Sequence, residues 1–115
     1  MNISFKSKKL EKSFNDSRRL EREYGTVRAS KIRLRMNALR AAKCLNDFAP
    51  PKSGPERCHE ISEGLSTWHL SVDLDHPYRL IFAPDHEPVP VKADGGLDWT
   101  RVTAVKILGV EDTHG

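Results

Sequence analysis

Hydrophobic and polar positions alternate most cleanly between Thr67 and Phe82. In the run Thr67 to Asp73, Trp68, Leu70 and Val72 fall on one side and His69, Ser71 and Asp73 on the other. In Pro77 to Phe82, Tyr78, Leu80 and Phe82 share a side while Arg79 points the opposite way. Period two with β-branched and aromatic residues predicts two half-buried antiparallel strands. The turn residues Asp75-His76-Pro77 join them. Just upstream, Arg57 to Ile61 reads as a short strand, followed by a Gly-containing turn at Glu63-Gly64. The apolar side of this sheet is expected to pack. The other side would carry Arg57, His59, His69 and Arg79.

The pattern changes period on either side of this region. Asn2 to Phe5 fits a first short strand. Ser7 is a plausible N-cap for a helix running to about Tyr24, with Leu10, Phe14, Ser17, Leu20 and Tyr24 at helical spacing. Gly25 ends it as a C′ glycine would, and Thr26 caps a second helix. In that helix Val27, Leu34, Ala38, Ala41 and Leu45 form the stripe expected to be buried. Around it project Arg28, Lys31, Arg33, Arg35, Arg40 and Lys43. The helix should stop near Phe48, because Ala49 precedes Pro50-Pro51. Pro50 to Pro55 reads as a rigid linker. Pro84 to Trp99, rich in Pro, Asp and Gly and without periodicity, reads as an exposed loop, longer than most connections. Arg101 to Val110 returns to strand, with Thr103, Val105 and Ile107 on one side. The order β-α-α-β-β-β-β implies one α+β domain over residues 1–115, a helical hairpin on one face of a mostly antiparallel sheet of four to five strands.

Charge sharpens this picture. Residues 1–57 hold 15 Lys/Arg against 6 Asp/Glu, a net of +9, and residues 58–115 hold 4 against 10, a net of −6. A basic half points to an anionic partner, nucleic acid or an acidic protein segment; a solvated helical surface accounts for the same charge. No apolar run approaches the ~20 residues of a membrane span, and the charged opening MNISFKSKKLEKSF lacks the apolar region of a signal peptide. Cys44 and Cys58 do not make a disulfide framework. These features make the cytoplasm the expected location.

The residues expected on the polar sheet face suit one chemistry. RNA is cut without metal or cofactor when its 2′-hydroxyl attacks the neighbouring phosphate. A base must take the hydroxyl proton, an acid must protonate the leaving 5′-oxygen, and cations must meet the charge building on phosphorus. Arg57, His59, Glu60, Arg79, Lys106, Asp112 and His114 supply those types. Ordinary roles fit the same residues: Arg79 can pair with Asp73 or Glu60 across strands, and His69, His76 and His86 can be surface or hydrogen-bonded histidines. The spacings of Cys58-His59 and Cys44 fit no zinc motif, so no metal is expected. Phosphate-loop and dinucleotide fingerprints are missing, so no cofactor is expected.

Four segments resemble the RelE/ParE superfamily of toxins from bacterial toxin–antitoxin pairs, most closely its HigB or plasmid maintenance killer branch. Phe5 to Lys12 opens a basic helical hairpin. Arg57-Cys58-His59-Glu60-Ile61 is similar to the family's R-L-H-x-L. Trp68-His69-Leu70-Ser71-Val72 and Tyr78-Arg79-Leu80-Ile81-Phe82 resemble its W-S-I-x-V and W/Y-R-L-x-F strands. Val105 to His114 resembles its closing strand and D-Y-H ending. The resemblance spans nearly the whole chain. It implies a RelE-like, microbial-RNase-like sheet and a cytoplasmic toxin that cuts mRNA on the ribosome. It also implies neutralisation by a helix-turn-helix, HigA-like antitoxin, with operator DNA contacted only through that partner. By position, Arg79 matches the strand arginine near the scissile phosphate, His59 the R-x-H histidine, and Asp112 and His114 the ends of D-Y-H. Arg57 would assist Arg79. Arg18, Arg22, Arg33, Arg40, Lys43 and Lys106 would hold RNA phosphates. Thr113 stands where the family has Tyr, and threonine neither stacks on a base nor readily assists proton transfer. Two other classes remain open: a ParE-like toxin that inhibits a protein such as gyrase, and an inactive relative that only binds an antitoxin.

Overall fold

A computed structural model of the chain describes residues 1–61 and 68–112. The elements are β1 (Asn2–Phe5), α1 (Lys8–Phe14), α2 (Ser17–Ala41), a 3-10 turn (Leu45–Phe48), β2 (His59–Glu60), β3 (Leu70–Asp73), β4 (Tyr78–Pro84), a second 3-10 turn (Trp99–Arg101) and β5 (Ala104–Asp112). Among the described residues five strands make one sheet in the order β1-β5-β4-β3-β2. Only the outer pair β1–β5 is parallel. The helices cover one face, so the α+β layer expected from periodicity is the observed one. The predicted turn at Glu63-Gly64 lies outside the described residues, as do Thr113 and His114.

The helical segment breaks earlier than expected. Ser7 does cap α1, accepting from the Leu10 amide at 3.1 Å. The helix then ends at Phe14, because Asp16 adopts an extended conformation and accepts from the amides of Arg18 and Arg19 at 3.0 and 3.2 Å. A short carboxylate that satisfies the orphan donors of a new first turn is a strong restart signal. Phe14 packs edge-on against Phe5 and Tyr24 at 5.7 and 6.2 Å, so the predicted stripe of the first segment is used. Gly25, with φ of 80°, kinks α2 at the predicted break.

Beyond Gly25 the buried side differs from the expected one. Ala29, Ile32, Met36 and Leu39 enter the core, whereas Val27 and Leu34 are 66% and 54% exposed. This helix has apolar residues at helical spacing on two opposite sides, and the core took the bulkier set. Two arginines hold that rotation. Arg28 makes a bidentate contact with Asp75 at 3.1 and 3.2 Å and lies 3.4 Å from the Tyr78 ring centroid. Arg35 is buried and reaches the carbonyls of Asp73 and Pro55. The helix ends at Ala41, not near Phe48, and Leu45 reaches the core from the 3-10 turn instead.

Leu70, Val72, Leu80, Phe82, Val105 and Ile107 meet the helices. The loop predicted to be exposed is so at Asp85, Glu87, Pro88 and residues 91–95, but its end is anchored. Val91 bridges Leu97, Leu97 and Trp99 are buried, and the Trp99 indole N–H donates to Glu60 at 3.0 Å. His86 accepts from the Thr103 amide at 3.0 Å. The apolar residues of this loop, too far apart to show a period, are what pull it in.

Candidate functional site

Strand register places the chemistry-bearing side chains. Successive residues of a strand point to opposite faces. Leu80 and Phe82 face the helices, so Arg79 and Ile81 face away. Across the sheet, His59 is opposite Ser71, Ser71 opposite Ile81, and Ile81 opposite Gly109. In the next row Asp73 is opposite Arg79, and Arg79 opposite Glu111. The face away from the helices therefore gathers His59, Asp73, Arg79 and Glu111.

Arg57 joins this cluster from a turn, not from the strand predicted for it. Its φ is 47°, a left-handed conformation uncommon for a residue with a side chain. In that conformation its carbonyl accepts from His59 Nδ1 at 2.8 Å. A carbonyl only accepts, so Nδ1 carries the hydrogen and Nε2 holds the lone pair of the neutral ring. Nε2 lies 3.4 Å from Arg79 Nη1. The turn thus selects the tautomer that presents a basic nitrogen to the far face.

Asp73 joins the two arginines. Its Oδ2 is 3.2 Å from Arg57 Nε and its Oδ1 3.4 Å from Arg79 Nε. The latter is an ion pair without hydrogen-bond geometry. The cross-strand pairing open to Arg79 from sequence is therefore made with Asp73, while Glu60 is held by Trp99. The frame behind Asp73 is tight. Its amide donates to the Glu56 carbonyl at 2.8 Å, and its carbonyl accepts from Arg35 Nε at 2.6 Å. Arg35 Nη2 donates to the Pro55 carbonyl at 3.1 Å. One buried guanidinium from α2 thus ties the end of β3 to the turn that carries Arg57. Two half-exposed guanidinium groups held by one carboxylate form a preorganised receptor for an oxyanion such as phosphate.

The carboxylate that β5 sets beside Arg79 is Glu111. Asp112, proposed from the resemblance, is opposite Tyr78 and so lies in the row that faces the helix layer. The cause is a bulge: Ile81 pairs with Gly109 but Phe82 pairs with Ile107, leaving Leu108 as an extra residue. Gly109, with φ of 147°, takes the conformation this needs. A groove of about 550 Å³ runs along the bulge, lined by Lys6, His69, Ile81, Leu108, Gly109, Val110 and Glu111, with Leu10 of α1 at its border. Next to Ile81, the buried Ser71 hydroxyl has no hydrogen-bond partner among the described residues.

Of the cations predicted to hold RNA, Lys106 alone shares this face, opposite Ala83. Arg18, Arg22 and Arg40 are exposed on α2, Arg33 is partly buried against Glu21, and Lys43 is exposed in the connection after α2. The layer order puts the α2 cations on the other side of the sheet from Arg79. Cys58 is no nucleophile here: burial, then Glu56 and Glu60, push its thiol up to about 12. Sequence reasoning named Asp73 as a partner for Arg79 but not its link to Arg57, and it missed Glu111 and Arg35. The alternation did put Asp73 on the His69 side, but a bulge and a helix rotation left no trace that would have picked out the other two.

Comparison with family models, with curated proteins and with solved structures gave no match. Among the described residues no helix is long and apolar enough to cross a membrane.

Proposed function

We propose that this chain is a cytoplasmic toxin of a type II toxin–antitoxin pair, a HigB-like member of the RelE/ParE superfamily that cuts mRNA on the ribosome. The observation that carries the reading is the Arg57–Asp73–Arg79 bridge with the His59 Nε2 lone pair beside Arg79, on the side of the sheet opposite Leu80 and Phe82. In this reading the scissile phosphate sits on Arg79 and Arg57, which meet the charge that develops on phosphorus. His59 and Glu111 divide the proton transfers, one taking the 2′-hydroxyl proton and the other supplying the 5′-oxygen. The products are a 2′,3′-cyclic phosphate and a free 5′-hydroxyl. His114 keeps the role the resemblance implies. A helix-turn-helix antitoxin is the expected neutralising partner, and the ribosome with its mRNA the target.

One observation favours a second reading. Asp73 already engages both guanidinium groups, as a structural cross-strand pair would, and Thr113 replaces the family Tyr. That arrangement suits a ParE-like toxin that binds a protein and cuts nothing. Arg79→Ala and His59→Ala separate the two. If cleavage causes growth arrest, both variants lose toxicity while keeping the fold; full toxicity in both contradicts the nuclease reading.

A further inference from the structure

Four side chains with hydrogen-bond donors line the cleft where α1 ends against α2. Arg33, Asn37 and Arg40 recur at i, i+4 and i+7 on α2, so they share a side. Asn15, the C-terminal cap of α1, completes the rim. Together they enclose about 240 Å³ over Ile32 and Met36. Arg33 gives Nη2 to Glu21 at 3.2 Å, yet its Nη1 is out of solvent and meets no hydrogen-bond partner among the described residues. A donor in that state costs free energy that an incoming acceptor recovers once the guanidinium turns toward it.

No carboxylate is among the lining residues, so the charge of the cleft is that of two guanidinium groups. Guanidinium groups bond oxyanions through paired N–H donors and suit phosphate, whose oxygens point in several directions. The two amides add donors and also carbonyls, which accept from a phosphate that still carries a proton. Sulfate carries no such proton at neutral pH.

Charge around the cleft decides how much phosphate it takes. Asn15 also borders a depression in which Glu11 and Asp16 balance Lys12 and Arg19. Glu21 already holds part of Arg33. On these sides the surplus of positive charge ends at the rim. A nucleic-acid backbone is charged at every phosphate and needs cations along its path. One isolated phosphate group needs only the cleft.

We propose that the α1–α2 cleft binds a single phosphate group, free or at the end of a small molecule. The phosphate sits between Arg33 and Arg40, with Asn15 and Asn37 at its sides. Asn15 belongs to α1 and the other three to α2, so the bound anion ties the two helices together across the break at Asp16. The site lies on the helix layer and stands or falls independently of the nuclease reading.

The test follows the side-chain amide and guanidinium NMR signals of the full chain, titrated with inorganic phosphate or phenyl phosphate against chloride at equal ionic strength. Site-resolved signals keep this cleft apart from the Arg57–Arg79 pair, which also suits an oxyanion. Those of Asn15, Arg33 and Asn37 should move together and saturate with phosphate, with sulfate binding more weakly. Arg33→Gln should weaken binding about tenfold, the loss expected for one hydrogen bond between charged groups. Asn37→Asp, a change of similar shape at an exposed position, should abolish it and keep the fold. Tighter binding of phenyl phosphate assigns the site to a small phosphate ester, and equal binding assigns it to the free ion. The proposal is overturned if the Asn15 and Asn37 signals do not saturate with either phosphate, if chloride moves them equally, or if both variants bind as the parent does. It is also overturned if oligouridylate displaces phosphate with the same dependence on Arg33, which would make the cleft part of an RNA path.

Discussion

Replacing Arg35 tests how the site is held. Arg35→Met keeps most of the side-chain volume but deletes the donors to Asp73 O at 2.6 Å and Pro55 O at 3.1 Å. Hydrogen bonds from a charged group contribute about 1.5–3 kcal/mol each. Against that loss, methionine no longer has to keep a guanidinium charge out of water at 5% exposure. The net destabilisation should be about 2–4 kcal/mol, with two carbonyls left short of a partner. For a domain of this size that lowers Tm by roughly 8–16 °C. Urea unfolding followed by Trp68 and Trp99 fluorescence gives the first readout. Nitrogen NMR of His59 gives the second, because release of the Arg57 turn frees the Nδ1–H bond and mixes the two tautomers. The reasoning fails if Arg35→Met unfolds within about 0.5 kcal/mol of the parent, the range of an ordinary surface change. It also fails if stability drops while the His59 tautomer stays as it was.

Three further outcomes follow from burial and charge. Val27→Asp and Leu34→Asp should change stability by no more than about 0.5 kcal/mol, whereas Ile32→Ala on the opposite side should cost about 2–5 kcal/mol; denaturant melts of the three variants decide which side of α2 is inside. In the native chain a thiol reagent should modify Cys44 and spare Cys58, whose thiol is fully buried and pushed up to about 12; mass spectrometry before and after unfolding reads this. The Thr100 hydroxyl, with Arg101 adding to it, holds the Asp98 carboxyl below its ordinary value. Its contribution is therefore present above the unfolded value and disappears as pH falls through the folded one. Tm against pH should fall less steeply on the acid side in Asp98→Asn.

The sheet was legible because period two is a local signal. Leu70, Val72, Leu80 and Phe82 sort to one face and Arg79 to the other whatever the rest of the chain does. The break at Gly25 was legible for the same reason. The rotation of α2 was not. Val27, Leu34, Ala38 and Ala41 keep helical spacing as well as Ile32, Met36 and Leu39 do, and the choice is made by tertiary contacts such as Arg28 with Asp75 and Arg35 with the β3 carbonyl. The break at Asp16 was written in the sequence but was outweighed by the stripe running through it. At the site, His59, Arg57 and Arg79 came together as expected. Glu111 replaced Asp112 beside Arg79 because one extra residue in β5 sets the register of everything after it. The helix arginines look alike in sequence, yet Arg35 is buried and Arg40 exposed.

The measurement that bears most directly on the central claim is mRNA 5′-end mapping after induced expression of the chain in cells without an antitoxin, run alongside Arg79→Ala. The account predicts growth arrest with in-frame, codon-phased cuts in translated mRNA, and neither arrest nor cuts with Arg79→Ala. Arrest with intact mRNA would contradict it and assign the Arg57–Asp73–Arg79 bridge to a binding surface.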